Sequence, residues 1–245
     1  MKFITTVFRW LYTFWVFTVF SVSMLILLPF MVLPFLFGPK AGAVGYFFIN
    51  VWAWTFSLLT FIRYKFYGKE NFRKGMSYIY VSNHTSFLDL PGLRMLLPGQ
   101  FMPLAKKELL KIPVFGWIAR AATIIVDRSS PESRKKSIDR LKYYLSEGIS
   151  VLIFAEGTQN RTKEVLQPFH DGAFRIAVDT QRPLLPMVVI NAGKLMPPGT
   201  IRLRPGLIRI YVAPEIPTQG LNPSHVPALK IKTFEIMKEM IETNS

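Results

Sequence analysis

The chain has 245 residues, half of them hydrophobic, and a formal net charge of +15. That length allows one mid-sized domain with an attachment. The absence of cysteine excludes disulfides, thiolate metal sites and a cysteine nucleophile.

Three of the 30 basic residues (Lys2, Arg9, Lys40) and none of the 15 acidic ones fall within residues 1–62, so the rest of the chain is itself strongly basic. Such a part expects an anionic partner: lipid headgroups, nucleic acid or an acidic carrier protein. Trp10 to Pro39 is a charge-free run of 30 residues, and Ala41 to Ile62 is another of 22. Either is long enough to cross a hydrocarbon core, which needs about 20 apolar residues. Pro29 and Pro34 interrupt the first run, so its last third is expected to kink or leave the helix. Gly38-Pro39-Lys40 predicts a turn joining two helices into a hairpin. Lys2 and Arg9 precede the hairpin, and Arg63, Lys65, Lys69, Arg73 and Lys74 follow it, which places both flanks at the cytoplasmic face of an inner or plasma membrane. Trp10, Tyr12, Trp15, Trp52 and Trp54 suit an interfacial belt. A cleaved signal peptide fits poorly, because the apolar run is too long and lacks a small-residue cleavage site. Whether the hairpin spans the bilayer or half-embeds stays open.

From Ile62 onward strands and helices alternate. Arg63–Tyr67 has the alternation of an edge strand, and Tyr78–Ser82 is a short aromatic and β-branched strand. A helix is expected from Ser86 or Phe87. Phe101–Ala105 predicts a strand, and Lys106–Arg120 a helix broken at Pro113 and Gly116. Thr123–Asp127 predicts a buried strand. Ser129 and Glu132 offer a capping box around Pro131 for a helix with Ile138, Leu141 and Leu145 inward, ended by Gly148. Ser150–Phe154, Leu184–Ile190 and Leu207–Ala213 predict strands. Gly172–Asp179 and Pro227–Glu242 predict helices, the latter burying Phe234, Met237 and Ile241. The expected fold is therefore α/β: a single mixed sheet flanked by helices over residues 63–245, preceded by a hydrophobic two-helix membrane hairpin at 1–62.

Two polar clusters follow predicted strands, where open α/β sheets place ligands. The first is Asn83-His84-Thr85-Ser86-Phe87-Leu88-Asp89. A carboxylate five residues after His84 can hold one imidazole nitrogen and leave the other to take a proton. With no protein nucleophile beside it, the attacking group would be a substrate hydroxyl. A histidine at a strand end with this spacing alone is more often a structural or capping residue. The second cluster is Phe154-Ala155-Glu156-Gly157-Thr158-Gln159-Asn160-Arg161. Gly157 permits a sharp turn whose N–H groups face an anion. Glu156 can orient a substrate hydroxyl or hold a basic residue, and Arg161 can fork a phosphate. Lys106 and Arg128 add cations at neighbouring strand ends. Of the remaining histidines, His170 is read as structural or solvated and His225 as incidental.

NHTSFLD resembles the N-H-x-x-x-x-D box of the glycerolipid acyltransferases, the 1-acylglycerol-3-phosphate acyltransferase family. FAEGT resembles that family's F-P-E-G-T box, TIIVDR its hydrophobic block ending in arginine, and Leu185-Pro186-Met187-Val188 its V-P-V block. AKKELLKIPVFG is similar to the stretch between the first two boxes. The resemblance runs from about Tyr64 to Ala213. It implies that His84 and Asp89 are catalytic and that the free sn-2 hydroxyl of lysophosphatidic acid attacks the thioester of acyl-CoA or acyl-carrier protein. Asn83, Lys106, Arg128, Glu156, Gly157, Thr158 and Arg161 would contact substrate, with no metal and no cofactor beyond the acyl donor. Membrane phospholipid, a lysophospholipid acceptor and the donor are then the partners. Nucleic acid is not, because the basic residues are dispersed and no recognition motif is present. Ala155 stands where the family has proline, Gln159 where it usually has a phosphate-binding arginine, and Ala122 where it has glycine. Gln159 keeps open a different lysolipid acceptor, such as a lyso-aminolipid. A non-catalytic, membrane-anchored lipid-binding protein is the remaining alternative.

Overall fold

The computed structural model describes residues 2–38 and 40–245, with side chains from Thr6 onward. Pro39 of the expected turn and the side chain of Lys2 lie outside the described residues.

Helix α1 (Lys2–Val32) gives way to a 3-10 turn at Leu33–Phe37 opened by Pro34, so the last third of the first apolar run does leave α geometry. Helix α2 (Gly42–Thr60) packs back along α1. Phe20 meets Trp52 edge-on at 5.3 Å. A Cβ at Gly45 would lie 2.5 Å from the Phe35 ring and 2.7 Å from the Met31 carbonyl, so the hairpin's tightest contact requires glycine there. Both helices are long and apolar enough to cross a membrane, by length and composition.

The sheet begins with β1 (Ile62–Tyr67) and β2 (Ile79–Ser82). Helix α3 (Asp89–Leu96) starts later than the sequence suggests, with residues 83–88 forming a loop instead of a first turn. Strand β3 (Phe101–Lys106) leads into a 3-10 turn (Lys107–Lys111) and then helix α4 (Phe115–Ala122). Gly116 does not break this helix. It sits in its first turn, where a Cβ would lie 2.5 Å from the Leu110 carbonyl, and so permits the close packing. Strand β4 (Ile124–Val126) precedes α5 (Pro131–Ser146), whose N-cap is Ser130, one residue beyond the expected Ser129. The Ser130 hydroxyl accepts from Ser133 N, whereas the Ser129 hydroxyl donates to Asp127. Then come β5 (Ser150–Phe154), α6 (Gly172–Thr180), β6 (Leu184–Ile190), the unforeseen one-turn α7 (Ala192–Leu195), β7 (Gly206–Val212) and α8 (Val226–Asn244).

The seven strands run in the order β1-β7-β6-β2-β5-β3-β4. The five from β6 to β4 are mutually parallel. β7 is antiparallel to β6, and the edge strand β1 is parallel to β7, so the sheet is mixed as expected. Continuous burial along β2 and β6 matches strands covered on both faces. Helices α5, α6 and α8 pack together on one side, and α3, α4 and the hairpin on the other. The hairpin touches the sheet domain at both of its ends. Near the open end Thr13 Oγ1 accepts from Leu203 N at 3.1 Å, and near the tip Tyr46 donates to the Ala122 carbonyl at 2.7 Å. The hairpin therefore lies along the domain.

Candidate active site

The site forms at the C-terminal ends of the central strands β2 and β5, where the chain must leave the sheet and its backbone groups need new partners. After β2 the loop is fixed by three anchors. Asn83 is buried, donating to the Val189 carbonyl at 3.0 Å and accepting from Val189 N at 2.7 Å. Tyr64 donates to the Leu88 carbonyl, and the Ser86 hydroxyl to the Met196 carbonyl. Asp89, fully buried at the start of α3, then turns back over the loop. Its Oδ2 accepts from His84 Nδ1 at 2.8 Å, Thr85 N at 2.8 Å and Ser86 N at 2.9 Å. An ionised carboxylate can only accept, so Nδ1 is the donor, and the neutral imidazole held this way has its lone pair on Nε2. The His84 ring stacks on Phe154 with centroids 4.1 Å apart.

The loop after β5 is tied to the same histidine. Glu156 is buried, and its two oxygens accept from His84 N at 2.9 Å and Gln167 N at 2.8 Å. Burial raises its pKa, against the opposing pull of those N–H groups. The His84 carbonyl accepts from Asn160 N at 2.7 Å. Gly157 has a φ of +71°, and a Cβ there would meet the His170 ring at 2.7 Å, so both conformation and space demand glycine. Arg128 donates to the Gly157 carbonyl.

A cavity of about 840 Å³ joins these parts. His84, Lys106, Arg128, Gly157, Thr158 and Arg161 line it together with Leu90, Leu104, Leu109, Phe115 and Ala119, and Glu108 and Asp127 add two carboxylates. Burial, reinforced by Arg128 and Arg161, holds the Lys106 ammonium below the usual lysine range. A cavity lined by cations and apolar side chains can take an amphiphile carrying a negative headgroup.

Two residues expected to contact substrate lie elsewhere. Asn83 and Glu156 are absent from the cavity lining, and their polar atoms bond backbone groups of Val189, His84 and Gln167. In this arrangement each holds the His84 loop. The structure also gives roles to two residues not anticipated. Phe154 carries the imidazole, and Gln167, together with the Gln159 already singled out, lines the cavity with a side-chain nitrogen that is buried and unpartnered. Phe154 immediately precedes the Ala155-Glu156-Gly157 block, which is the one local hint the sequence carries.

Comparison with known proteins agrees with this geometry. The family described as Acyltransferase matches residues 63–190. The human 1-acyl-sn-glycerol-3-phosphate acyltransferase alpha is 36% identical over 172 residues, covering 69% of this chain and 60% of that protein. A chloroplastic 1-acyl-sn-glycerol-3-phosphate acyltransferase of Arabidopsis thaliana is 32% identical over 197 residues, covering 78% of this chain and 54% of that protein. The matched stretch thus spans little more than half the length of these curated relatives. The crystal structure of the 1-acyl-sn-glycerophosphate (LPA) acyltransferase PlsC from Thermotoga maritima superposes with a TM-score of 0.82 at 23% identity, covering 97% of this chain and 96% of that one, a likeness of fold. With more than half of its residues within the family match, and His84, Asp89 and the Gly157 loop converging on one cavity, this chain belongs to the acyltransferase family.

Proposed function

We propose that the protein acylates the sn-2 hydroxyl of lysophosphatidic acid to give phosphatidic acid, using acyl-CoA or acyl-carrier protein as donor. One observation carries the reading: His84 is held through Nδ1 by Asp89 at 2.8 Å, while it lines the same cavity as Lys106, Arg128 and Arg161. In this mechanism Nε2 takes the hydroxyl proton as the oxygen attacks the thioester carbonyl. Asp89 stabilises the imidazolium that forms. The tetrahedral oxyanion takes hydrogen bonds from Lys106 or loop N–H groups, each such donor being worth about 3–4 kcal/mol. The carbon–sulfur bond then breaks, and the proton on Nε2 leaves with the thiol. Arg128, Arg161 and the N–H group at Thr158 hold the phosphate, while the Gly157 N–H closes the turn on the Phe154 carbonyl at 2.9 Å. The reaction is assigned no metal and no cofactor beyond the acyl donor.

We also assign residues 1–62 to membrane attachment at the cytoplasmic surface. Because the hairpin lies along the sheet domain from Thr13 to Tyr46, it cannot cross a bilayer without drawing that domain in. Its exposed side, with Phe8, Phe14, Leu36 and Phe37, is therefore assigned to one leaflet.

A second acceptor reading rests on Gln159, whose unpartnered side-chain nitrogen lines the cavity where relatives usually carry arginine. Turnover by the purified full chain against a matrix of lysolipid acceptors and acyl donors decides between them. Lysophosphatidic acid is expected to be the preferred acceptor. Preference for a phosphate-free lysolipid overturns that assignment.

A further inference from the structure

A second basic cluster lies away from the cleft, where the hairpin meets the segment between α7 and β7. Thr13 Oγ1 accepts from Leu203 N at 3.1 Å, and this bond brings Arg202 and Arg204 to the open end of the hairpin, beside Arg9. The Arg202 guanidinium sits 5.2 Å above the Trp10 ring, and such stacking leaves its N–H edge free for an anion. Arg9 feels the like charges of Arg204 and Arg202, and its Nε is buried without a hydrogen-bond partner. None of the ion pairs among the described residues includes any of the three. The sequence offers them no local counter-charge, because no acidic residue occurs before Glu70 or between Asp179 and Glu215. Three mutually repelling guanidiniums held together by tertiary packing call for an anion. Around them Phe8, Leu11, Phe61 and Ile201 are all exposed, so the anion must be one that arrives with an apolar surface.

We propose that Arg9, Arg202 and Arg204, with Trp10, form a site for the phosphate of an anionic membrane phospholipid, distinct from the catalytic cleft. The proposal rests on the membrane-attachment reading above. The same segment borders Arg161 at Gly199, where a Cβ would lie 3.8 Å from that guanidinium. A lipid bound at the arginines thus fixes the membrane surface next to the segment that reaches the cleft.

The test is flotation of the full chain with vesicles of phosphatidylcholine alone and of phosphatidylcholine mixed with phosphatidylglycerol. The variants are the triple Arg9→Gln, Arg202→Gln, Arg204→Gln and a charge-matched triple on the opposite face, Arg134→Gln, Lys135→Gln, Lys136→Gln in α5. A basic side chain near an anionic leaflet is worth about a fivefold gain in partition. The first triple is expected to lose on the order of a hundredfold on mixed vesicles and to match wild type on phosphatidylcholine. The α5 triple is expected to lose under about fivefold. Equal loss by both triples overturns the site, since net charge then suffices. Displacement by inorganic phosphate at constant ionic strength also overturns it, in favour of a free-anion site. Failure of wild type to bind phosphatidylcholine would instead count against the hairpin reading, leaving the anionic-lipid difference to judge the site. Arg202→Gln alone changes an exposed side chain, and its expected fivefold loss keeps the test independent of whether the triple folds.

Discussion

The His84 corner and the amino-terminal hairpin depart from ordinary burial in opposite ways. In the corner, polar groups are buried: Asn83, Ser86, Asp89, Glu156 and Asn160 are all nearly inaccessible. Each finds partners, mostly backbone N–H and carbonyl groups of neighbouring loops and of β6, and among the carboxylate oxygens only Asp89 Oδ1 is left without one. In the hairpin, large apolar groups are exposed, with Phe14 at 74% and Leu36 at 75%. A buried polar network costs free energy unless it is fully satisfied, so its retention at one spot indicates a need for fixed geometry. An exposed apolar face of this extent indicates a surface that is covered in use.

The sharpest way to separate the two regions is His84→Ala. It is expected to lower kcat about 10²–10⁴-fold, the usual contribution of a positioned general base, while vesicle binding stays as in wild type. Parallel loss of vesicle binding would mean that the corner and the hairpin are not independent. The converse experiment replaces Phe14 and Leu36 with serine. Full burial of such side chains is worth about 1.5–3 kcal/mol each, so vesicle partition is expected to fall at least tenfold per residue. Both side chains are exposed, so thermal unfolding in detergent should not change. A lowered Tm would show that these faces pack against protein.

Much of both regions is legible in the sequence. β-Branched runs gave the strands because buried parallel strands are apolar throughout, and the hairpin followed from two charge-free runs. That His84 and Asp89 can pair is legible because their five-residue spacing is local, and the structure pairs them at 2.8 Å. What was not legible is how polar groups are satisfied over long separations. Asn83 bonds Val189, 106 residues away, and Glu156 bonds His84, 72 residues away. From spacing alone both resemble substrate ligands. Only the sheet order, with β2 between β5 and β6, shows that their partners are backbone. The cap at Ser130 instead of Ser129 has a local cause, because the Ser129 hydroxyl is taken by Asp127 two residues before it.

Glu156→Gln sharpens this distinction within the corner. An amide can accept from only one of the two N–H groups that now share the carboxylate, and it turns an NH₂ toward the other. Leaving a buried group so mispaired costs about 1–3 kcal/mol. If Glu156 holds the His84 loop, kcat falls while KM for lysolipid stays within about twofold of wild type, because ΔΔG‡ is lost only at the base. A dominant rise in KM would restore it as a substrate ligand. The pKa of the carboxyl is raised by burial, so the folded state binds the extra proton. Stability of the wild type should therefore fall as pH rises from the ordinary glutamate value through the raised one, and the glutamine variant should lack that decline.

The smallest effect is expected at the cleft rim, in the Lys107–Asp127 pair, which belongs to neither extreme. The hydrogen bond from Lys107, then that from Ser129, lowers the Asp127 pKa to about 2. A carboxyl lowered in the folded state adds stability that is complete above its ordinary value of 3.8 and is lost as pH falls through about 2. Thermal unfolding of wild type and Asp127→Asn should thus differ slightly at neutral pH and converge on acidification. Both side chains face solvent, so added salt at neutral pH should narrow the same gap. A gap that widens in acid, or ignores salt, would mean that Asp127 acts through its bonds to Ser129 and not through the lysine.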